Sequence, residues 1–229
     1  MIDLDQWDFE FKVTQHQRLL DPNAKDECLR FSSAKDFCTH ISNNIDDLTK
    51  FQNSIQRRLD KEKVYKRWEK QRTLLKNAPN FKEYQKDSKP FQDAAQKFKN
   101  NTDGSAAQIV ESLSAEIIQT NLTLKIGQKI FHGSPFDENV VAFDGFLSCT
   151  LDPTIAAFHA RKKSNGGQGK GTIFIIEITK ETPFFFGGSG RLKHEREILL
   201  DYGAQITLDK SSLVVGSEFN VIEAQLIPK

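Results

Sequence analysis

The chain has few of the features that mark several broad classes of protein. Its 229 residues include only three cysteines, Cys28, Cys38 and Cys149. They form no CxxC pair and no even-numbered framework, so we expect neither a disulfide scaffold nor a zinc site, and we expect a reducing compartment. No apolar run reaches the length of about 18 residues that a transmembrane helix needs. We therefore expect no membrane partner.

The first residues also lack the apolar segment of a secretory signal. Met1-Ile2-Asp3-Leu4-Asp5 is acidic and short of apolar side chains. This start predicts a cytoplasmic fold without a conventional signal peptide. Export by a leaderless route into a host or target cell is left open.

Neither sign of charge dominates, since the net charge is +1, yet the charges are unevenly spread. Residues 50–99 hold 15 Lys and Arg against 6 Asp and Glu, whereas the flanking parts are acidic. The common interpretation is a solvated helical face. The alternative is a surface that docks an acidic partner through its field. No aromatic-interleaved basic motif accompanies the charge, so we do not expect nucleic acid binding.

The sequence pattern changes near residue 104. Before it, Ile45, Leu48, Phe51, Ile55 and Leu59 recur at helical spacing, and the turn-rich stretch at 100–105 then interrupts the chain. We predict a helical N-terminal region over 1–104, which serves substrate recognition or core packing, and a second unit over 105–229.

The second unit is predicted to be a β-rich core of α+β class. An amphipathic stretch at 109–124 precedes short runs dense in β-branched and aromatic residues. The predicted strands are 129–131, 145–147, 172–178, 197–200, 205–208 and 220–227.

Two carboxylates separated by one residue run into the aliphatic segment 198–200. In a strand, Glu195 and Glu197 point to the same face, where like charges repel. A chain keeps such a pair where the carboxylates have chemistry to perform, or where the strand end is well solvated.

Two polar motifs precede this Glu-x-Glu in the chain. The first, His132-Gly133, ends a predicted strand, and the second, Ser148-Cys149-Thr150, is followed by a helical stretch that contains Phe158 and Arg161. Each motif alone also has a purely structural explanation. The histidine could be a hydrogen-bonded residue at a strand end, the phenylalanine a core residue and the arginine a residue on a solvated face. Their order and strand context together are more specific.

Over about residues 105–229 this succession resembles the mono-ADP-ribosyltransferase family, the NAD-consuming toxins and effectors. The resemblance implies a split antiparallel β-sandwich core with packed helices, NAD as a substrate and no metal. His132 is typical of the diphtheria-toxin-like class, whereas Ser148 and the Glu-x-Glu are typical of the class that carries an arginine in the first strand. The chain combines the two.

The resemblance assigns catalytic roles to three residues. Glu197 matches the second Glu of the family motif and would stabilise the oxocarbenium ion that forms when nicotinamide leaves. Glu195 would orient or deprotonate the incoming nucleophile. Ser148 would position Glu197 and the nicotinamide ribose.

Four residues are implied in NAD binding beside Ser148. His132 would fix the adenine-side ribose or the phosphates, and Gly133 would let the backbone approach the nicotinamide amide. Phe158 would stack on nicotinamide, and Arg161 would contact phosphate.

The segment before Glu-x-Glu sets, in that family, which protein is modified. It includes Phe184-Phe185-Phe186 and Arg191. Since three consecutive phenylalanines cannot all be core on one strand face, we predict that at least one of them is exposed to a partner, and the candidate recognition residues are Phe185, Phe186 and Arg191. Cys149 is open to interpretation as a nucleophile, but a packed, inert thiol is expected.

The function that this resemblance implies is transfer of ADP-ribose from NAD to an arginine or hydroxyl side chain of a target protein. The chain would then be a monomeric bacterial effector or toxin, with ubiquitin, actin or a small GTPase as candidate acceptors. Two alternatives are an NAD glycohydrolase, which uses water as acceptor, and a catalytically silent NAD- or partner-binding module.

Overall fold

The computed structural model describes residues 33–45, 77–100, 104–136, 145–161, 170–186 and 197–227. The helices there are α1 (Ala34–Asn43), α2 (Pro79–Lys86), α3 (Lys89–Lys99), α4 (Gly104–Gln119) and α5 (Pro153–Arg161). The strands are β1 (Thr123–Leu124), β2 (Lys129–Ser134), β3 (Leu147–Thr150), β4 (Gly171–Ile178), β5 (Thr182–Phe186), β6 (Glu197–Leu200), β7 (Gln205–Val215) and β8 (Phe219–Ile227). None of these helices combines the length and apolar character needed to cross a membrane.

The strands form one sheet in the order β1-β5-β6-β3-β2-β4-β8-β7. All neighbours are antiparallel except β4 and β8, which are parallel over eight residue pairs. At the centre of the sheet, β2 and β3 pair only at Phe131 and Thr150. The sheet is therefore almost divided there into two four-stranded halves.

One face of both halves packs on itself to form the inner core. Its buried members come from strands and the turns beside them, and include Ile130, Cys149, Phe174, Phe186 and Ile198. A sheet buries one face against itself only by curling, because side chains alternate between faces along each strand. The predicted α+β class with a split, largely antiparallel sheet is confirmed.

The other face of the sheet carries two separate helix layers. Helices α1 and α5 cover β2, β4 and β8 through an apolar cluster that includes Phe37, Ile41, Ala156 and Phe219. Helices α2, α3 and α4 cover β5 and β6 through a cluster that includes Phe81 and Leu199. The boundary between the two layers falls at β3, beside the point where the sheet divides.

Side chains fasten the N-terminal helices to the sheet and to helix α4 by pairing with backbone groups. Ser42 Oγ donates a hydrogen bond to the Phe219 carbonyl at 2.6 Å and accepts one from the Phe219 amide at 3.2 Å. Glu116 of α4 accepts from the amides of Asn80 and Phe81 at 2.9 and 2.8 Å, so a buried carboxylate caps the start of α2. The described helices before residue 104 thus pack on the same sheet as the helices after it.

Several element bounds differ from the predicted ones. The amphipathic stretch at 109–124 lies mostly in α4, which spans Gly104–Gln119. Strand β3 begins two residues later than expected, so Ser148, Cys149 and Thr150 lie within it. The apolar stripe from Leu48 to Leu59 lies outside the described residues. The division of the chain near residue 104 stays a prediction.

Candidate functional site

Adjacent positions on β3 and β6 bring Ser148, Thr150 and Glu197 to one face of the sheet. Thr150 is opposite Glu197 and Ser148 is opposite Leu199 in the antiparallel ladder. Opposite residues share a face, and Leu199 packs under the helices. The three polar side chains therefore lie on the helix-bearing face, at the gap between its two layers.

A cavity of about 190 Å³ lies beside these side chains, between the sheet and α5. Ser148 and Glu197 line it from β3 and β6, and His132 and Gly133 line it from β2. Ile155 and His159 close it from α5. The cavity therefore lies where β2 and β3 separate, which is the least paired place in the sheet.

Glu197 is a buried carboxylate held by a serine. Only 8% of the residue is exposed, and Ser148 Oγ donates a hydrogen bond to Glu197 Oε1 at 2.7 Å. A bond of this kind to a charged group is short and strong, so it fixes the orientation of the carboxylate. The negative charge also acts on its neighbours, since burial and then Glu197 raise the pKa of both the Cys149 thiol and the Tyr84 phenol.

His132 fills the break between β2 and β3. Its Nδ1 lies 2.7 Å from the Ser148 carbonyl oxygen. A carbonyl only accepts, so Nδ1 carries the proton and Nε2 is the acceptor nitrogen of the neutral ring. Burial lowers the pKa of His132 below its ordinary value of 6.5, and the bond to Ser148 opposes that shift. The ring is therefore neutral at pH 7.

Two glycines let α5 lie directly on the sheet beside the cavity. A Cβ on Gly133 would stand 1.9 Å from the Ala156 carbonyl oxygen, and one on Gly171 would stand 1.8 Å from that of Ala160. The two carbonyls are one helical turn apart, so successive turns of α5 rest on β2 and β4. In this structure a glycine is needed at position 133 because α5 packs so closely against β2. The predicted approach of the Gly133 backbone to nicotinamide stays a prediction.

A small network joins the end of β3 to the start of α5. Thr150 Oγ1 accepts from the Asp152 amide at 3.0 Å, and Asp152 Oδ1 accepts from the Thr154 amide at 2.9 Å. The carboxylate thus caps α5 in the usual way for an aspartate at this position. The third residue of the Ser148-Cys149-Thr150 motif is therefore used to place the helix.

The α5 residues that line the cavity differ from the two that the sequence predicts, Phe158 and Arg161. Phe158 is 48% exposed, and it is absent from the cavity lining. The Arg161 side chain is half exposed, with Nε 3.7 Å from the Glu218 carboxylate. His159, which we did not predict, lines the cavity instead. The signal available in the sequence was its i+4 spacing from Ile155, which places both on one helix face.

The predicted exposure of Phe185 or Phe186 is wrong. Both lie in β5 and each is only 2% exposed. Phe186 joins the inner core, whereas Phe185 stacks on Phe81 under the helices, with ring centroids 3.8 Å apart. Consecutive phenylalanines point to opposite faces, and both faces of this strand are covered. Neither therefore serves as an exposed recognition residue in this structure.

The other predicted residues divide into two groups. Cys149 is buried in the inner core, in agreement with a packed thiol. Glu195 and Arg191 lie outside the described residues. The structure thus brings together Glu197, Ser148, His132 and Gly133.

No protein-family model matches the chain, and no curated protein matches it significantly. Solved structures that resemble it include bacterial mono-ADP-ribosyltransferase toxins. C3larvin from Paenibacillus larvae is 20% identical, with 73% of this chain and 94% of that chain covered and a TM-score of 0.45. BECa of C. perfringens, solved with NADH, is 13% identical, with coverages of 82% and 49% and a TM-score of 0.49. Vis toxin from Vibrio splendidus is 16% identical, with coverages of 59% and 67% and a TM-score of 0.43.

Proposed function

We propose that this chain is a mono-ADP-ribosyltransferase, which transfers ADP-ribose from NAD to a side chain of a target protein and releases nicotinamide. The observation that carries the proposal is the 2.7 Å hydrogen bond by which Ser148 holds the buried Glu197 carboxylate in the cavity. The sequence resemblance to that family includes the same two residues among its motifs.

Cleavage of NAD requires stabilisation of a positive charge on the ribose, and the Glu197 carboxylate held by Ser148 can provide it. The bond between ribose C1′ and the nicotinamide nitrogen breaks with its electron pair going to the ring, which departs neutral and needs no general acid. The sugar becomes an oxocarbenium ion, as in glycoside cleavage. A fixed carboxylate such as Glu197 stabilises that positive charge without having to reorient during the reaction.

The neutral state of His132 suits the same chemistry. A cationic imidazolium in the cavity would repel the oxocarbenium ion, whereas a neutral ring does not. Burial keeps the pKa of His132 low, and its Nδ1 proton is engaged by the Ser148 carbonyl. His132 therefore helps to position Ser148 while it adds no positive charge.

The size of the cavity indicates which part of NAD it receives. At about 190 Å³ it is smaller than the roughly 300–1,000 Å³ of typical ligand pockets. We expect it to hold the nicotinamide and its ribose, with the rest of the dinucleotide lying outside it. The half-exposed Phe158 and Arg161 on α5 are our candidates for contacts with that outer part.

The acceptor completes the reaction. Its nucleophilic atom forms a new bond to C1′, and its proton passes to Glu195 in our proposal. Arginine or a hydroxyl side chain is the expected acceptor group. Ubiquitin, actin and small GTPases are the candidate proteins for a bacterial effector of this kind.

The test is incubation of the purified chain with NAD labelled in its ADP-ribose part and a cell lysate, with Glu197→Ala beside the wild type. We expect a discrete labelled protein band that the folded variant does not produce. Nicotinamide release without a band would favour the glycohydrolase, and the absence of both would favour a silent binding module. Equal labelling by wild type and variant would contradict the assignment of Glu197.

A further inference from the structure

Gln92 of helix α3 makes a two-way hydrogen-bonded pair with the backbone just before β3. Its Nε2 donates to the Phe146 carbonyl at 2.9 Å, and its Oε1 accepts from the Phe146 amide at 3.2 Å. A primary amide is the side-chain group that reproduces both halves of a backbone pairing, because it offers one donor and one acceptor side by side. Gln92 thus takes the place of a neighbouring strand at Phe146.

The surroundings of this pair allow little movement. A Cβ on Gly145 would stand 2.0 Å from Gln92 Oε1, so the glycine makes room for the amide. Gln92 Nε2 also lies 3.4 Å from the Tyr84 hydroxyl, and Tyr84 packs edge-on against Phe146 with ring centroids 6.4 Å apart. The contact fixes α2 and α3 to the beginning of β3.

The fixed point is two residues from the site. Phe146 and Ser148 lie on the same face, and Ser148 holds the Glu197 carboxylate. On the side of β2, β3 is held by the single ladder pair Phe131–Thr150 and by the bond between His132 Nδ1 and the Ser148 carbonyl. The position of Ser148 along and across the sheet therefore depends on β6, on His132 and on the contact that Gln92 makes.

We propose that Gln92 is a positioning residue for the transferase reaction, which sets the place of Ser148, and through it of Glu197, by clamping the backbone of Phe146. The inference rests on the proposed function. In this proposal helices α2 and α3 help to align the catalytic residues, in addition to packing on the sheet.

A second side-chain contact of the same kind, made by Ser42, serves as a control for the role of Gln92. Ser42 of α1 clamps Phe219 in the same two-way manner, and a Cβ on Gly216 would stand 2.0 Å from Ser42 Oγ. That contact lies in the other helix layer, at the start of β8. Loss of either clamp should lower stability, but only loss of the Gln92 clamp should alter the chemistry.

The experiment measures kcat and KM for nicotinamide release, with full-length protein and at a temperature where each variant is fully folded. For Gln92→Leu we expect kcat to fall about tenfold or more with KM changed less than about threefold, because misplaced catalytic groups lower the rate of the chemical step. Gly145→Ala, which displaces the amide from the other side, should have the same effect. Ser42→Ala should lower the melting temperature and keep kcat within about twofold of wild type.

A second variant distinguishes positioning from simple destabilisation. In Gln92→Glu the neutral carboxyl group can still donate to and accept from Phe146, whereas the ionised form sets a negative charge against the Phe146 carbonyl. Its kcat relative to wild type should therefore rise as the pH falls from about 8 to about 5, since burial raises the pKa of a carboxyl group above its usual value near 4.3. Gln92→Leu should show a constant ratio over this range.

The outcomes distinguish failure of the positioning role from failure of the proposed function. If wild type releases nicotinamide and folded Gln92→Leu matches it, the positioning role is wrong and the proposed cleavage of NAD stands. Equal losses of kcat in Gln92→Leu and Ser42→Ala would also overturn the positioning role. If wild type itself releases no nicotinamide with NAD and lysate, the proposed function fails and the role of Gln92 fails with it.

Discussion

At the scale of the residue, the bond between Ser148 and Glu197 sets the chemistry of the site. Ser148→Ala removes the hydrogen bond that Ser148 donates to Glu197 Oε1, while the strand pairing of β3 with β6 stays intact. A hydrogen bond to a charged group contributes about 1.5–3 kcal/mol, so we expect kcat for nicotinamide release to fall about 10- to 100-fold.

The matched control for that prediction is Ser212→Ala. Ser212 is also buried, donating to the Asp209 carbonyl at 2.7 Å and accepting from the Glu223 amide at 2.8 Å, but it lies on β7. It should lower stability and leave kcat near the wild-type value. Equal kcat values for the two variants would show that the Ser148 hydroxyl has no role in catalysis.

His132 gives a prediction about the pH dependence of stability. Its pKa is lowered in the folded chain, mainly by burial, so the unfolded chain binds the proton more readily. The stability that depends on a neutral His132 is complete above pH 6.5 and is lost as the pH falls toward the lowered pKa. His132→Asn keeps an N–H donor for the Ser148 carbonyl but removes this titration.

The measurement is the melting temperature of wild type and His132→Asn between pH 8 and pH 5. Wild type should lose stability relative to the variant as the pH falls below about 6.5. The other histidines are common to both proteins and cancel in the difference. A difference that is constant across the range would mean that burial does not disfavour the charged ring.

At the scale of the element, α5 depends on the absence of side chains at Gly133 and Gly171. Gly133→Ala would place a methyl group 1.9 Å from the Ala156 carbonyl oxygen, and backbone atoms cannot rotate away as a side chain can. We expect the free energy of unfolding to fall by about 1–3 kcal/mol or more, measured by chemical denaturation. Gly104→Ala is the control, since no residue that the structure describes lies within 4 Å of the new methyl group and α4 begins there. It should be neutral or slightly stabilising.

The elements also show what the sequence can predict. The strand at 197–200 has the predicted bounds, and β4 begins one residue early, because dense runs of aliphatic residues suit strands buried on both faces. Strand β5 was not predicted, although Phe184, Phe185 and Phe186 belong to it. Its two faces are covered by different layers, and no local pattern reveals that coverage. The same limit explains why Phe185 and Phe186 were wrongly expected to be exposed.

The candidate site was predictable only in part for a related reason. Glu197, Ser148, His132 and Gly133 were found because each belongs to a short motif on a strand, and strand pairing brings the motifs together. The orientation of α5 depends on the glycines beneath it, so His159 faces the cavity and Phe158 lies outside its lining. The spacing within the helix shows that Ile155 and His159 share a face, but which face meets the cavity is a tertiary effect.

At the scale of the whole molecule, the site exists because two helix layers meet over a sheet that is almost divided. Gln92 and Phe146 are 54 residues apart, and Ser42 and Phe219 are 177 apart, so no sequence pattern could have joined them. The lysines of α2 and α3, within the basic segment 50–99, are exposed, as a solvated face requires. A docking role for that segment stays a prediction.

Two buried carboxylates of this chain allow a direct test of the role of Glu197. Glu197 is 8% exposed in the cavity, and Glu116 of α4 is 9% exposed, caps the start of α2 and is outside the cavity lining. Nicotinamide release from NAD, in the presence of lysate, is measured for wild type, Glu197→Gln and Glu116→Gln at equal concentrations of folded protein. We predict that Glu116→Gln releases nicotinamide at close to the wild-type rate, whereas Glu197→Gln loses about 10²- to 10³-fold. A folded Glu197→Gln that releases nicotinamide as fast as wild type would contradict the account.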